Sequence, residues 1–180
     1  MDSLAVHAGG SEAVADLCLG YLGNYDSPMR NVDMLQQALV AMCALGGYSG
    51  TDKERLDMLL EETSRNLPGS KAADISLLLA DGKSVRLTEL TAAADTTIVV
   101  FYDADCSECM AMLSALAASP KGEGAVVAVR MGAAHSPLLL PSWIRASLPD
   151  EGAEARESYY LSTLPAAYAL TRENIVAWRR

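Results

Sequence analysis

Cys106-Ser107-Glu108-Cys109 brings two thiols within one helical turn of each other, and no other stretch of the chain carries so direct a chemical signal. The pair directly follows the apolar run Thr97-Ile98-Val99-Val100-Phe101-Tyr102 and directly precedes a helical pattern. A strand that delivers two cysteines onto the first turn of a helix has the geometry of a dithiol–disulfide redox centre. The helix N-terminus carries about half a positive charge and unpaired N–H groups, which favour a thiolate over a thiol. Further along comes Thr163-Leu164-Pro165, followed by a second strand-like run.

Competing chemistries fare worse. A structural disulfide or an inert pair on a helix is the plain alternative for Cys106 and Cys109. A zinc site would need further ligands, and His7 and His135 stand at no useful spacing, so no metal is expected. His135 reads as a loop residue. Cys18 and Cys43 fall in apolar helical stripes and read as small buried hydrophobes, with a disulfide between them as the minority reading. Trp143 and Trp178 read as core or interface residues. A Ser/His/Asp triad has no Gly-x-Ser-x-Gly elbow to present it. A peroxidatic cysteine would need Pro and Thr upstream, where Asp103-Ala104-Asp105 stands.

The elements that must position the thiols can be read from periodicity. Residues 1–10 are small, weakly patterned and expected to be poorly ordered. A first helix opens at Ser11 and aligns Val14, Leu17, Cys18, Tyr21 and Leu22. A second starts near Asn31 and aligns Leu35, Ala38, Leu39, Met42 and Cys43, ending at Gly46-Gly47. A third opens with Thr51 and Glu54, a capping-box pair, and aligns Leu56, Leu59, Leu60 and Thr63. This helical N-terminal unit, 1–66, carries no obvious chemistry.

Leu67-Pro68-Gly69-Ser70 breaks the pattern, and a second domain, 67–180, follows. Ile75–Leu79 and Ser84–Leu87 flank Asp81-Gly82, a tight hairpin signal. Thr88–Ala94 reads as a short turn or helix. Thr97–Tyr102 suits a central strand buried on both faces. The helix at Cys106 aligns Cys109, Met112, Leu113 and Leu116 and stops before Pro120. Ala125–Met131 reads as a strand and Pro141–Leu148 as a helix holding Trp143 and Ile144. Ala166–Leu170, a Thr171–Asn174 turn and Ile175–Trp178 complete the order β-β-β-α-β-α-β-β, an α/β fold with a mixed sheet.

Composition sets the outer limits. The chain has 180 residues, 51 % hydrophobic and 21 % charged, enough for a substantial core. A net charge of −9 opposes nucleic acid and an anionic membrane surface as partners. No apolar stretch reaches the roughly 18 residues of a membrane span. Met1-Asp2-Ser3-Leu4 lacks the basic and apolar regions of a signal peptide, so the expectation is a cytosolic protein or a chain that begins after a removed signal. Four cysteines do not settle the compartment.

This order, with a dithiol after the third strand and a proline opening the strand after the second helix, resembles the thioredoxin-like fold over residues 68–178. The stretches Pro68-Gly69-Ser70-Lys71-Ala72-Ala73-Asp74-Ile75, Leu79-Ala80-Asp81-Gly82-Lys83 and Val99-Val100-Phe101-Tyr102-Asp103-Ala104-Asp105-Cys106 look closer to envelope-attached thiol-disulfide oxidoreductases of the cytochrome-maturation and peroxiredoxin-like branch. The whole chain is also similar to a bacterial thioredoxin-like family of unassigned function with a helical N-terminal region. There a segment like Tyr25-Asp26-Ser27-Pro28-Met29-Arg30-Asn31 precedes the linker.

The resemblance implies Cys106 as exposed nucleophile, Cys109 as resolving cysteine on the buried side of the helix, and Pro165 as a cis-proline facing them. It implies substrate pairing along Thr163 and Leu164. It implies exchange with protein or peptide disulfides, electrons from a partner reductase or thiol, no bound cofactor, and a place in the periplasm or cell envelope. A homodimer is compatible with it, and so is the cytoplasm.

The chain also departs from the pattern. Asp105 before the motif, and Ser107 and Glu108 within it, replace the usual aromatic and Gly-Pro residues. The carboxylates of Asp105 and Glu108 disfavour a further negative charge, tuning the thiol against the helix dipole and pointing to a reductant or slow exchanger rather than a strong oxidant. The position at which thioredoxin places a buried acid is Val100, and the acid of some cytochrome-maturation reductases is replaced by Met112. Glu108 and Asp103 are then the remaining candidates to take the Cys109 proton. The competing class is a non-enzymatic thioredoxin-like binding or scaffolding module that keeps its cysteines.

Overall fold

Periodicity changes from helical to strand-like near Leu67-Pro68-Gly69-Ser70, and just before it the chain divides into two units, Met1–Arg65 and Asn66–Arg180. The computed structural model describes residues 8–24, 26–119, 124–132, 144–149 and 152–180. The expectations for residues 1–7, His7, Tyr25, Pro120, His135, Pro141 and Trp143 lie outside the described residues.

In the first unit α1 (Ala8–Cys18) runs into a π-helical turn, Leu19–Gly23, followed by α2 (Val32–Leu45) and α3 (Gly50–Thr63). Ala15, Leu35, Leu39, Met42 and Leu56 form its core. Asn31 caps α2, its side-chain oxygen accepting the Met34 N–H at 3.0 Å, and Gly46 ends the helix with a φ of +70° that costs glycine little.

Several details depart from the sequence reading, beginning with α1, which opens at Ala8 rather than Ser11, so that residues 8–10, expected to be poorly ordered, are helical. On α1 and the π turn that follows it, Val14, Leu17 and Tyr21 are exposed, whereas Ala15 is buried and Cys18, Leu19 and Leu22 are half-buried. The helix is apolar on more than one side, so spacing alone left its inward face open, and the π turn rotates the residues after Cys18. Cys18 and Cys43 are free, half-buried thiols packed against this core rather than fully buried ones. The third helix opens at Gly50 with Ser49 as N-cap and no side-chain cap bond, which leaves Thr51 and Glu54 inside the helix. Gly50 has a φ of +58°, a turn that a residue without Cβ enters freely, and this moves the start upstream of the expected box.

The second unit is a seven-stranded mixed sheet. Its elements are β1 (Ser76–Leu79), β2 (Ser84–Arg86), α4 (Leu87–Thr91), β3 (Thr96–Tyr102), α5 (Ser107–Ala118), β4 (Ala125–Arg130), β5 (Ile144–Pro149), α6 (Gly152–Ser158), β6 (Ala166–Thr171) and β7 (Val176–Arg179). The strand order is β2-β1-β5-β4-β3-β6-β7. Strands β3, β4 and β5 run parallel; the β1–β2, β1–β5, β3–β6 and β6–β7 pairs are antiparallel. The β1–β2 hairpin turns at Asp81-Gly82, where Gly82 has a φ of +81° and Asp81 accepts the Lys83 N–H.

Alternation along β3 splits the core in two. Val99 and Phe101 join Leu77, Val127, Val129, Tyr159, Tyr168 and Leu170 on one face. Val100 and Tyr102 join Val126, Ala128 and Ala167 on the other, where Cys109 and Leu113 of α5 pack. Being buried on both faces explains why β3 reads as one continuous apolar run. Trp178, expected in a core or interface, is 43 % exposed on β7; Val176 and Arg179 are the buried residues of that strand, which pairs through an irregularity at Ala169/Leu170.

Residues 144–148 correct the helix expected over Pro141–Leu148. They lie in β5, parallel to β4 (Val126↔Ile144, Ala128↔Ala146) and antiparallel to β1 (Leu78↔Leu148). The segment alternates Ile144, Arg145, Ala146, Ser147, Leu148, a period of two, and pairing on both sides decides the outcome. The helix falls later, at α6, followed by the fully buried Tyr159.

Around Tyr159 a polar network ties the segment leading into β1. The Tyr159 hydroxyl donates to the Ala73 carbonyl at 2.7 Å, Asn66 Oδ1 accepts the Ala73 N–H at 2.7 Å, and Asn66 Nδ2 donates to the Ser158 carbonyl at 2.7 Å. The ring stacks obliquely on Phe101 and edge-on to Tyr168, at centroid distances of 4.9 and 5.0 Å. Tyr159→Phe keeps the rings but strips the Ala73 carbonyl of its donor, and is expected to cost about 1–2 kcal/mol in denaturant unfolding. An unchanged midpoint would show that the hydroxyl is dispensable. Among the described residues no helix is long and apolar enough to cross a membrane.

Candidate active site

The β3–α5 connection builds the site from short-range bonds. Asp103 follows the last residue of β3, and its Oδ1 accepts the Asp105 N–H at 2.9 Å, a turn that aspartate favours. The Asp103 carbonyl accepts the Cys106 N–H at 3.3 Å and closes the loop. Cys106 then stands as the N-cap of α5 in extended conformation, φ −94° and ψ 119°. Its Sγ accepts the N–H of Cys109 at 3.2 Å, a bond that strengthens when the sulfur carries charge.

Two further groups meet the same sulfur. The Cys106 thiol reaches the Leu164 carbonyl at 3.7 Å and Glu108 Oε2 at 3.6 Å. Leu164 packs against both core clusters, and the Leu164–Pro165 peptide bond is cis, with Pro165 buried. Thr163, half-buried, precedes it. The structure thus brings Cys106, Glu108 and Leu164 together, with Thr163 and Pro165 adjoining along the chain. Asp105 is exposed, and its backbone, through Asp103, shapes the turn.

The two cysteines differ sharply. Cys106 is half-buried at the helix tip, whereas Cys109 has no exposed surface and sits among Val100, Tyr102, Ala128 and Leu113. Burial first, then the neighbouring Cys106, pushes the Cys109 thiol up to about 12; the Asp103 N–H, donated to its Sγ at 3.4 Å, pulls the other way, and charge on Asp103 adds to the rise. Both cysteines are free. The exposed Glu108 carboxyl is lowered by its own backbone N–H, and next by the Ser107 hydroxyl at 2.9 Å.

The raised Cys109 thiol has a consequence for stability. Between its ordinary value of 9.0 and about 12, the unfolded chain loses a proton that the folded chain keeps, so stability falls as pH rises through that window. Unfolding at stepped alkaline pH is expected to show a shallower decline for Cys109→Ser than for the parent. Equal slopes would mean that the thiol ionises alike in both states.

Two residues of the site carried little signal in the sequence. Asp103 stood only as one of two leftover acids, and Gly132 was not singled out at all. The Met131 N–H donates to the Tyr102 carbonyl at 2.8 Å, which sets Gly132 against the Asp103 side chain. Among the described residues no cluster of three or more His, Cys, Asp or Glu side chains could hold a metal ion.

No family model matches the sequence, and no curated protein matches it either. Solved structures do. A thioredoxin-like protein from Bacteroides caccae aligns with a TM-score of 0.84 at 22 % identity, over 97 % of this chain and 67 % of that one. A candidate thiol-disulfide oxidoreductase from Bacteroides vulgatus aligns with a TM-score of 0.53 at 14 % identity, over 63 % and 85 %. A candidate thiol:disulfide interchange protein DsbE from Chlorobium tepidum aligns with a TM-score of 0.50 at 20 % identity, over 63 % and 84 %. At such identities the likeness establishes the architecture: a thioredoxin-like mixed sheet flanked by helices, with a helical N-terminal unit.

Proposed function

We propose that this chain of thioredoxin-like fold is a thiol-disulfide oxidoreductase that reduces disulfides in protein or peptide substrates through Cys106 and Cys109. The observation that carries the reading is the asymmetry of the pair. One sulfur caps a helix, accepts a backbone N–H and lies half-exposed; the other is sealed beneath it. The solved structures named for thiol-disulfide exchange support it by analogy of fold.

In the proposed cycle Cys106 thiolate attacks one sulfur of a substrate disulfide, forming a mixed disulfide and releasing one substrate thiolate. Cys109 then loses its proton and attacks Cys106 Sγ, which closes the protein disulfide and expels the second substrate thiolate. Two electrons pass from the dithiol to the substrate, and a thiol reductant restores the pair. No bound cofactor enters the cycle. The Leu164 carbonyl, 3.7 Å from Cys106 Sγ, marks where an extended substrate segment would lie along Thr163, Leu164 and Pro165. Asp105 and Glu108 border the entrance with negative charge and favour a reductant over a strong oxidant. The compartment proposed is the bacterial cell envelope, which the sequence resemblance implies.

The test is turnover of a disulfide-bonded peptide with dithiothreitol as donor. A rate proportional to protein concentration is expected. A rate equal to that of dithiothreitol alone, with retained peptide binding, would favour the non-enzymatic binding module.

A further inference from the structure

Resting on that reading, resolution of the mixed disulfide needs Cys109 as a thiolate, yet Cys109 is fully buried. We infer that Asp103 is the proton acceptor for Cys109: its backbone N–H already holds the Cys109 sulfur at 3.4 Å, and its carboxylate occupies a niche kept open by Gly132.

The neighbours of Cys109 leave few other acceptors among the described residues. On α5 the Glu108 carboxylate is turned to solvent, engaged with the Ser107 hydroxyl and the Cys106 thiol. On β3 the Tyr102 phenol is kept protonated by burial, and its neighbour across the sheet on β4 is the cation Arg130. Cys106 is tied up in the mixed disulfide at that moment. Pro165 and its flanking Leu164 and Ala166 carry no titratable group. Among the described residues Asp103 is the remaining base, and its charge acts on the Cys109 thiol.

The niche is specific. A Cβ built at Gly132 would lie 3.0 Å from Asp103 Oδ2 and 3.3 Å from its Cγ, so a side chain there crowds the carboxylate and shifts it by a few tenths of an ångström. Oδ1 is fixed by the Asp105 N–H, and the residue is half-exposed, which gives a captured proton a way out to water. The step balances: the Cys109 proton passes to Asp103, the Cys109–Cys106 sulfur bond forms, the Cys106–substrate bond breaks, and the substrate leaves with the electron pair as a thiolate. A carboxylate in this place does the work for which Val100 and Met112 leave no group.

The experiment uses the reduced chain and a symmetric aryl disulfide whose thiolate product is coloured. The first thiolate released reports attack by Cys106, and the second reports resolution by Cys109. For Asp103→Asn the first phase is expected to stay within about twofold, while the second slows by at least about tenfold at neutral pH and acquires a dependence on hydroxide that the parent lacks. Asn keeps an oxygen for the Asp105 N–H, so the turn survives; Asp103→Glu should recover part of the rate, and Gly132→Ala should slow only the second phase. A second phase unchanged or faster in Asp103→Asn would overturn the inference, because removing the charge alone eases Cys109 ionisation. Absence of the first phase in the parent would instead overturn the exchange reading itself.

Discussion

Cys106→Ser is expected to abolish disulfide exchange, lowering turnover by about a thousandfold or more, the scale on which enzymes lose activity when their nucleophile is removed. The sulfur at this position is the helix cap, the acceptor of the Cys109 N–H and a neighbour of the Leu164 carbonyl at 3.7 Å. Serine is itself a favoured N-cap, so α5 should hold its start and the variant should fold with parent-like stability. The loss then belongs to chemistry: an uncharged hydroxyl does not attack a disulfide at neutral pH. Peptide turnover together with a denaturant midpoint checks both halves, and undiminished turnover would sink the assignment of the nucleophile.

Cys109→Ser is expected to do something different. The first attack by Cys106 proceeds at close to the parent rate, because the donor at 3.2 Å is the backbone N–H of residue 109, which the substitution keeps. Resolution then fails, and the mixed disulfide accumulates at close to one substrate per chain. With only external thiol to release it, steady-state turnover should drop about a hundredfold or more. The serine hydroxyl can still accept the Asp103 N–H that the sulfur now accepts, which limits structural damage. Intact-mass measurement after mixing with a disulfide peptide reads the adduct directly; no adduct would place the resolving step elsewhere.

Much of the scaffold was legible because its signals are local. The continuous Thr97–Tyr102 run lies between β4 and β6, the Asp81-Gly82 turn joins β1 to β2, and the dithiol opens α5. What escaped depends on partners far along the chain. Residues 144–148 carry both a helical and an alternating pattern, and only strands from residues 76–79 and 125–130 choose between them. The α6 helix has seven residues, and of its described side chains only Ala155 is buried, with Tyr159 beyond its end, too little periodicity to stand out. On α1 the apolar residues wrap around the helix, so Ala15 rather than Val14 turns inward.

The site shows the same division. The spacing of Cys106 and Cys109, with a strand pattern before and a helical one after, singled them out as candidates, and Leu-Pro at 164–165 stood out as a second landmark. The approach of Leu164 to Cys106 needs β6 antiparallel to β3, and the approach of Gly132 to Asp103 needs β4 parallel to β3. A glycine that makes room for a carboxylate carries no signal until the two segments are side by side. The acidic residues, by contrast, were visible as composition, but their contacts were not: the Glu108 carboxylate accepts from Ser107, while Asp103 gives its backbone N–H to the resolving cysteine and sets its carboxylate between the Asp105 N–H and Gly132.

The reduction potential of the Cys106–Cys109 couple decides whether the two thiols work as one redox centre. It is read by equilibrating the chain with graded glutathione or dithiothreitol mixtures and trapping the free thiols. One reversible two-electron transition is expected, on the reducing side and near thioredoxin's roughly −270 mV. Thiols that never pair across the whole range, or a disulfide that resists every reductant, would contradict it.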